Sequence, residues 1–212
     1  MIDNALFDWD GTLVDSSEGI LENLRYAIDS VGYPVPDEKT LRTFIGPSLV
    51  WAFTCVLGMD ESTATQAISN YVYGYSNKGG YKKFKLFGGV EDLIKTLYLS
   101  GVKVSIVSAK PTAQLRMVVQ ESGLMQYVDK VVGPDGEGKK DSDKSELIKR
   151  AISGKNVVMV GDSTYDITSA KKAEVTSVAV TYGFGFTKNS ETYADYTVDS
   201  VQDLKRILLK EL

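Results

Sequence analysis

The chain has 212 residues, no histidine and one cysteine, Cys55, and its 24 basic against 28 acidic residues give a net charge of −4. This composition excludes histidine-dependent catalytic triads, zinc sites with histidine ligands and intrachain disulfides. A mildly acidic chain is a poor nucleic-acid binder, and no apolar stretch approaches the roughly 20 residues that span a bilayer, so neither partner is expected. Residues 1–4 lack the features of a signal peptide, which predicts a cytoplasmic protein.

The first apolar run, residues 5–7, predicts a buried strand, but the next convincing strand begins only near Val102. The sequence between them has helical periodicity instead, beginning with apolar residues at Ile20, Leu24 and Ile28. A segment of this length is far too long to be a single crossover between two strands. We therefore expect residues 16–87 to form an inserted all-α subdomain.

Strands and amphipathic helices alternate in the rest of the chain. Short runs rich in valine and isoleucine, without polar alternation, predict strands buried on both faces at residues 102–107, 131–132, 157–160 and 178–180. Helical periodicity follows at residues 91–99, 111–122, 143–152 and 200–209. This order predicts an α/β fold with a doubly wound parallel sheet, a Rossmann-like core formed by residues 1–15 and 88–212.

Acidic pairs follow two of the predicted strands. Asp8 and Asp10 come after the first strand, and Asp162 and Asp166 come after the strand at residues 157–160. Ligands of open α/β sheets gather at the carboxyl ends of the strands, so we expect these side chains to converge. Carboxylates without histidine or thiol predict an oxygen-only site suited to Mg²⁺. A simple Asp-Gly turn after the first strand, and a helix N-cap by Asp162 or Ser163, are the purely structural interpretations of the same motifs.

Hydroxyl and amine groups supply a complementary site for an anion. Ser108 ends the strand at residues 102–107, and its hydroxyl, with the Ala109 amide at a helix start, suits a phosphate oxygen. Lysine supplies the remaining positive charge, and the candidates are Lys110, Lys139, Lys140 and Lys144. We prefer Lys144 because it lies on a helix just before the fourth strand, with Lys139 and Lys140 as open alternatives.

The chain resembles the haloacid dehalogenase (HAD) superfamily of phosphatases in four motifs that occur in that family's order. They are Asp8-x-Asp10-Gly11-Thr12, Ser108 after an apolar strand, a lysine, and Gly161-Asp162-x-x-x-Asp166. The helical insertion matches the cap that this family carries between its first two motifs. Residues 44–49 and 180–185 are similar to the phosphoglycolate phosphatase-like branch.

This resemblance implies a role for each motif residue. Asp8 is the expected nucleophile that forms an aspartyl-phosphate, and Asp10 the acid that protonates the leaving oxygen and later activates water. Mg²⁺ would be held by Asp8, the Asp10 backbone carbonyl and Asp162, with Asp166 a direct ligand or one step removed. Thr12 completes the first phosphate-binding motif and would orient Asp10. The remaining groups expected to bind the phosphoryl group are Ser108, Lys144 and the backbone amides of Trp9, Gly11 and Ala109.

The implied activity is Mg²⁺-dependent hydrolysis of a small phosphomonoester by a monomer or weak homodimer. The cap residues Gly46, Pro47 and Ser48 are expected to set specificity. Val72 stands where relatives often carry an arginine, so phosphoglycolate itself stays an open choice, and a pyrophosphatase or a 5′-nucleotidase of the same superfamily is an alternative. A phospho-acceptor signalling module, which places similar groups around Mg²⁺, is the non-enzyme alternative.

Overall fold

The computed structural model describes residues 2–45, 49–135 and 143–210. The expected specificity residues Gly46, Pro47 and Ser48, and the alternative lysines Lys139 and Lys140, lie outside the described residues. The chain divides into two compact units, one formed by Met1–Asp15 with Lys85–Leu212 and the other by Ser16–Phe84. The assignment of these units as catalytic core and cap stays a prediction. Within the described ranges, no helix is long and apolar enough to cross a membrane.

The first unit is built on a parallel sheet. The strands, in chain order, are β1 (Asn4–Phe7), β2 (Val14–Asp15), β3 (Lys85–Leu86), β4 (Lys103–Val107), β5 (Lys130–Val132), β6 (Val157–Gly161), β7 (Thr176–Val180) and β8 (Tyr196–Val198). Strands β2 and β3 form a separate antiparallel pair. The other six are all parallel, in the order β5-β4-β1-β6-β7-β8. The predicted α/β fold with a doubly wound parallel sheet is therefore confirmed.

Helices flank this sheet and form the second unit. In chain order they are α1 (Ser17–Ser30), α2 (Glu38–Arg42), α3 (Leu49–Trp51), α4 (Glu61–Asn77), α5 (Val90–Leu99), α6 (Thr112–Glu121), α7 (Lys144–Ala151), α8 (Thr164–Lys172) and α9 (Val201–Lys210). A π-helical segment, Ala52–Val56, continues α3. In the second unit, α1 packs against α4, whose first turn is capped by the Asp60 side chain.

Part of the core of the first unit lies where α7 and α8 pack together against the sheet. One apolar cluster joins the centre of β1 to these two helices, and its buried members are Leu6, Val107, Val132, Leu147, Ile148, Ala151, Val157, Met159, Ala170 and Ala173. Every residue of β6 is buried. Strands covered on both faces need apolar residues throughout, which explains why β6 was recognisable as a continuous apolar run.

The edge strand β8 was not predicted. Tyr196 and Thr197 are exposed and only Val198 is buried. An edge strand satisfies part of its backbone with solvent and has little apolar burial, so its sequence carries a weak signal.

A buried polar side chain ties β1 to its surroundings. Asn4 is fully buried, and its Nδ2 donates to the Lys103 carbonyl at 2.9 Å and to Ser105 Oγ at 3.4 Å. Its Oδ1 accepts from the Ser153 amide at 2.9 Å. Because buried polar groups without partners cost free energy, these bonds fix the end of the strand that is opposite the acidic residues.

We expect Asn4→Ala to lower the free energy of unfolding by about 2–3 kcal/mol, because it leaves the Ser153 amide and the Lys103 carbonyl without this partner. Urea unfolding followed by circular dichroism measures the change. Asn189→Ala, at an exposed position, is the matched control and should stay within about 0.5 kcal/mol of the parent. Equal stabilities of the two variants would contradict the assignment.

Candidate active site

Three neighbouring strands bring the predicted residues to one edge of the sheet. Phe7, at the end of β1, is in register with Ile106 of β4 on one side and with Val160 of β6 on the other. Asp8 follows β1, Ser108 follows β4 and Asp162 follows β6. These residues therefore leave the sheet side by side, as the parallel topology requires.

A tight turn follows Asp8. The Trp9 carbonyl accepts hydrogen bonds from the Leu13 and Val14 amides at 3.1 and 3.2 Å. Gly11 lies in the left-handed region with φ of 83°, and a Cβ there would be only 2.2 Å from Asp162 Oδ2. The turn therefore needs glycine both for its backbone conformation and for its approach to the second acidic motif.

The Gly11 amide donates to the Val14 carbonyl at 2.9 Å. This differs from the expected role of that amide in phosphate binding, because an amide bonded within the turn is not offered to a ligand. The sequence identified the glycine correctly as a turn residue but gave no information on the direction of its N–H.

The loop after β7 holds Asp162. Asp162 Oδ2 accepts hydrogen bonds from the backbone amides of Phe184 at 2.7 Å and Gly185 at 3.1 Å. The Tyr182 hydroxyl donates to the Thr12 carbonyl at 3.0 Å, which joins the same loop to the first motif. Residues 180–185 were recognised only as a branch signature, and backbone donors carry no side-chain signal from which this contact could have been predicted.

Among the residues that the structure describes, Lys144 lies between the acidic residues. It begins α7, its side chain is 3% exposed, and its Nζ lies 2.6 Å from Asp8 Oδ1 and 2.5 Å from Asp166 Oδ1. The backbone amide of Lys144 donates to the Tyr165 hydroxyl at 3.0 Å, and Asp143 caps the helix. The position of Lys144 at the start of α7 therefore places its ammonium group against Asp8, the predicted nucleophile.

Asp166 uses both of its carboxylate oxygens. Oδ1 accepts from Lys144, and Oδ2 accepts from the Ser163 amide at 3.1 Å and the Ser163 hydroxyl at 2.6 Å. Ser163 and Asp166 form a capping box at the start of α8. The structural interpretation of this motif, a helix cap, is thus correct for Ser163, and the cap also orients Asp166 toward Lys144.

Asp10 is directed to a different lysine. Its Oδ2 lies 3.2 Å from Lys110 Nζ, and the Lys110 amide donates to Ser108 Oγ at 3.2 Å. Ser108 is buried, whereas Ala109 is exposed. The Thr12 hydroxyl is buried and has no hydrogen-bond partner among the described residues, so its expected role in orienting Asp10 stays a prediction.

Burial and the repulsion between neighbouring carboxylates raise the pKa values of Asp8 and Asp162. Burial raises the pKa of Asp8 well above its usual range, against the attraction of Lys144, and the neighbouring Asp166 and Asp162 raise it further. Burial, followed by the charge of Asp166, raises the pKa of Asp162 to about 6. For Lys144, burial lowers the pKa, but the adjacent carboxylates of Asp166 and Asp8 outweigh it and the net shift is upward. The site therefore holds more negative charge than one ammonium group can balance.

Three of these carboxylates fit a metal ion. Asp8, Asp162 and Asp166 each place an oxygen within 4.8 Å of the others, and all three are buried. Oxygen donors of this kind suit hard divalent cations, and the excess negative charge described above calls for one. The residues present therefore fit a divalent metal such as the sequence predicted.

Known proteins are similar to this chain in sequence and in fold. The family model for haloacid dehalogenase-like hydrolases matches residues 5–180. The crystal structure of a predicted phosphatase from Clostridium acetobutylicum has a TM-score of 0.89 and 35% identity, with 100% of both chains covered.

Two sequence relatives have named activities of their own. A 5′-nucleotidase of Pseudomonas aeruginosa is 30% identical over 187 residues, which are 86% of this chain and 84% of that protein. A phosphoglycolate phosphatase of Vibrio parahaemolyticus is 26% identical over 215 residues, 95% of this chain and 94% of that protein. The four motifs, the fold and these matches agree, and the chain belongs to the haloacid dehalogenase-like hydrolases, in their phosphoglycolate phosphatase-like branch.

Proposed function

We propose that this hydrolase is a Mg²⁺-dependent phosphatase that cleaves a small phosphomonoester through an aspartyl-phosphate on Asp8. The observation that carries the proposal is the buried Asp8 carboxylate at the end of the central strand, held by Lys144 and surrounded by two further carboxylates. Relatives that are named as a 5′-nucleotidase and as a phosphoglycolate phosphatase support a phosphomonoester as substrate.

Asp8 attacks phosphorus with a carboxylate oxygen, and the bond from phosphorus to the leaving oxygen breaks. Asp10 donates its proton to that oxygen, then removes a proton from the water that hydrolyses the aspartyl-phosphate. A carboxylate is a weak nucleophile, but phosphoryl transfer depends mainly on position and charge neutralisation. Lys144 contributes both, because its ammonium group fixes Asp8 and adds positive charge beside the phosphoryl group.

Asp8, Asp162 and the Asp10 backbone carbonyl would hold Mg²⁺. When bound, the cation neutralises charge on the transferring phosphoryl group. Asp166 is better suited to holding Lys144 than to ligating the metal, because both of its oxygens already accept hydrogen bonds from side chains or backbone. Phe184 and Gly185 fix one oxygen of Asp162 and leave the other for the cation.

Ser108, the backbone amides of Trp9 and Ala109, and Lys144 form the phosphoryl-binding set in this proposal. Ser108 and Asp8 leave adjacent strands, which supports a shared ligand. Thr12 is included in the phosphoryl-binding set because it lies in the turn that follows Asp8. The substrate is a phosphorylated small molecule, and the cytoplasmic location and the monomeric or weakly dimeric state stay predictions from the sequence.

Asp8→Asn is expected to abolish hydrolysis of p-nitrophenyl phosphate, because an amide cannot form the phosphoenzyme, and EDTA is expected to abolish it in the parent protein. Phosphate release from a panel that includes phosphoglycolate, a nucleoside 5′-monophosphate and pyrophosphate identifies the substrate class. Trapping with labelled substrate measures the lifetime of phosphorylated Asp8, since a signalling module would keep it far longer than a phosphatase. Full activity of Asp8→Asn would overturn the mechanism.

Lys144→Met is expected to lower kcat/KM by at least about 100-fold, because it removes a positioned charge from the reacting group. It should also cost about 3–5 kcal/mol of folding stability in the metal-free protein, since Asp8 and Asp166 lose their buried partner. Steady-state kinetics and urea unfolding measure the two effects. Lys149→Met removes an exposed lysine of the same helix and serves as the control, for which neither quantity should change appreciably.

Metal binding should stabilise the protein more at neutral than at acidic pH. The pKa of Asp162 is raised to about 6 in the folded chain, so the folded state binds a proton that the unfolded state has already released. Stability of the metal-free protein therefore falls as pH rises through that value. Mg²⁺ binds the ionised carboxylates and offsets the repulsion, so the Mg²⁺-induced increase in Tm should be larger near pH 7.5 than near pH 5.

Thermal unfolding with Mg²⁺ or EDTA at each pH gives the four Tm values that this comparison needs. Asp162→Asn is the control variant, and its Mg²⁺-induced increase in Tm near pH 7.5 should be smaller than that of the parent, because it lacks the ionised carboxylate at this position. An equal Mg²⁺ effect at both pH values would argue against Asp162 as a ligand.

A further inference from the structure

A second lysine, Lys110, lies against the carboxylate that the proposed mechanism uses as acid and base. Its Nζ is 3.2 Å from Asp10 Oδ2, and the two side chains are only 9% and 20% exposed. Exposed lysine–aspartate pairs contribute little to folding stability. A pair that is largely withdrawn from water interacts more strongly and holds its geometry. This pair is separate from the contacts of Lys144 with Asp8 and Asp166.

The backbone around Lys110 is fixed on both sides. The Lys110 amide donates to Ser108 Oγ, and the following Pro111 restricts the backbone of Lys110 to extended conformations. A Cβ at Gly133 would lie 2.2 Å from the Lys110 carbonyl oxygen, so the chain after β5 approaches Lys110 as closely as a glycine allows.

Thr112 strengthens this attachment. Its hydroxyl donates to the Gly133 carbonyl at 2.9 Å, and its amide donates to the Pro134 carbonyl at 3.1 Å. The connection from β4 to α6 is thereby anchored to the chain that leaves β5. A long, flexible lysine side chain thus starts from a backbone that has little freedom to move.

A structural role alone explains this arrangement poorly. Replacing a buried ion pair with apolar residues is often neutral or stabilising, so such a pair is weak evidence for stability. The partner of Lys110 is also not an arbitrary carboxylate, because Asp10 lies two residues from the nucleophile in the same turn. The two lysines thus contact different aspartates of one motif.

We propose that Lys110 is a positioning residue, which holds the Asp10 carboxyl group at the leaving oxygen of the substrate. The inference rests on the proposed phosphatase function. As the bond between phosphorus and the leaving oxygen breaks, the electron pair stays on that oxygen and Asp10 supplies the proton. Lys110 fixes Asp10 for that transfer, whereas Lys144 serves the nucleophile. Removing Lys110 therefore impairs reactions that need the proton and spares those that do not.

Phenyl phosphate and p-nitrophenyl phosphate test this role, since they differ by a nitro group that makes nitrophenolate the better leaving group. The quantity to compare is kcat/KM of the Mg²⁺-loaded enzyme, which reports the steps through phosphoenzyme formation. Lys110→Met is expected to lose about 10- to 100-fold on phenyl phosphate, because a displaced acid forfeits much of its catalysis. On p-nitrophenyl phosphate the loss should stay below about 3-fold.

Lys110→Arg keeps the positive charge and is expected to show a smaller difference between the two substrates in the same direction, which also covers poor folding of Lys110→Met. Lys95→Met, at an exposed lysine of α5, is the matched control and should leave both values unchanged.

An equal loss on both substrates, with weaker inhibition by orthophosphate, would assign Lys110 to phosphoryl binding and overturn the proposal. Unchanged kinetics on both substrates would overturn it as well. If the parent protein hydrolysed neither compound, the proposed function would fail and this inference with it, whereas the first two outcomes leave the proposed function intact.

Discussion

The burial of three carboxylates beside one lysine is the constraint on which this edge of the sheet depends. Asp8, Asp162 and Asp166 repel one another in a region that water does not screen, and Lys144 compensates only part of that charge. The remainder needs backbone amides and a divalent cation. Folding and catalysis therefore require the same groups, because the charge that makes the site costly for the metal-free protein is the charge that binds Mg²⁺ in the proposed enzyme.

The loop after β7 provides backbone amides that stabilise part of this buried negative charge. Its amides at Phe184 and Gly185 hold Asp162, and a Cβ at Gly183 would lie 2.2 Å from the Gly11 carbonyl oxygen. Two glycine-containing turns from distant parts of the sequence therefore meet with no room for side chains. The glycines of both motifs have one physical reason, the close packing of backbone around an acidic side chain.

The sequence predicted the parts of the site that follow from topology. Asp8 and Asp162 were expected to converge because both follow strands of a parallel sheet. Lys144 was preferred because it lies on a helix just before β6, with Lys139 and Lys140 as open alternatives. Contacts made by backbone atoms were not predictable, because the Phe184 amide and the bonded Gly11 amide have no residue-type signature. Strand β8 was missed because its local sequence signal is weak. Its exposed residues do not distinguish an edge strand from a loop.

The contact between Lys110 and Asp10 is important because the chain contains no histidine. A chain without histidine can transfer protons near neutral pH with carboxylates, and a carboxylate is effective only when it is held at the reacting oxygen. A flexible turn would lose that geometry. Here the turn is fixed through Trp9 and Gly11, and the lysine that contacts Asp10 starts from a backbone anchored to two neighbouring strands. The rigid sheet edge thus holds a carboxylate in place for the proton transfer that a histidine side chain often performs in other enzymes.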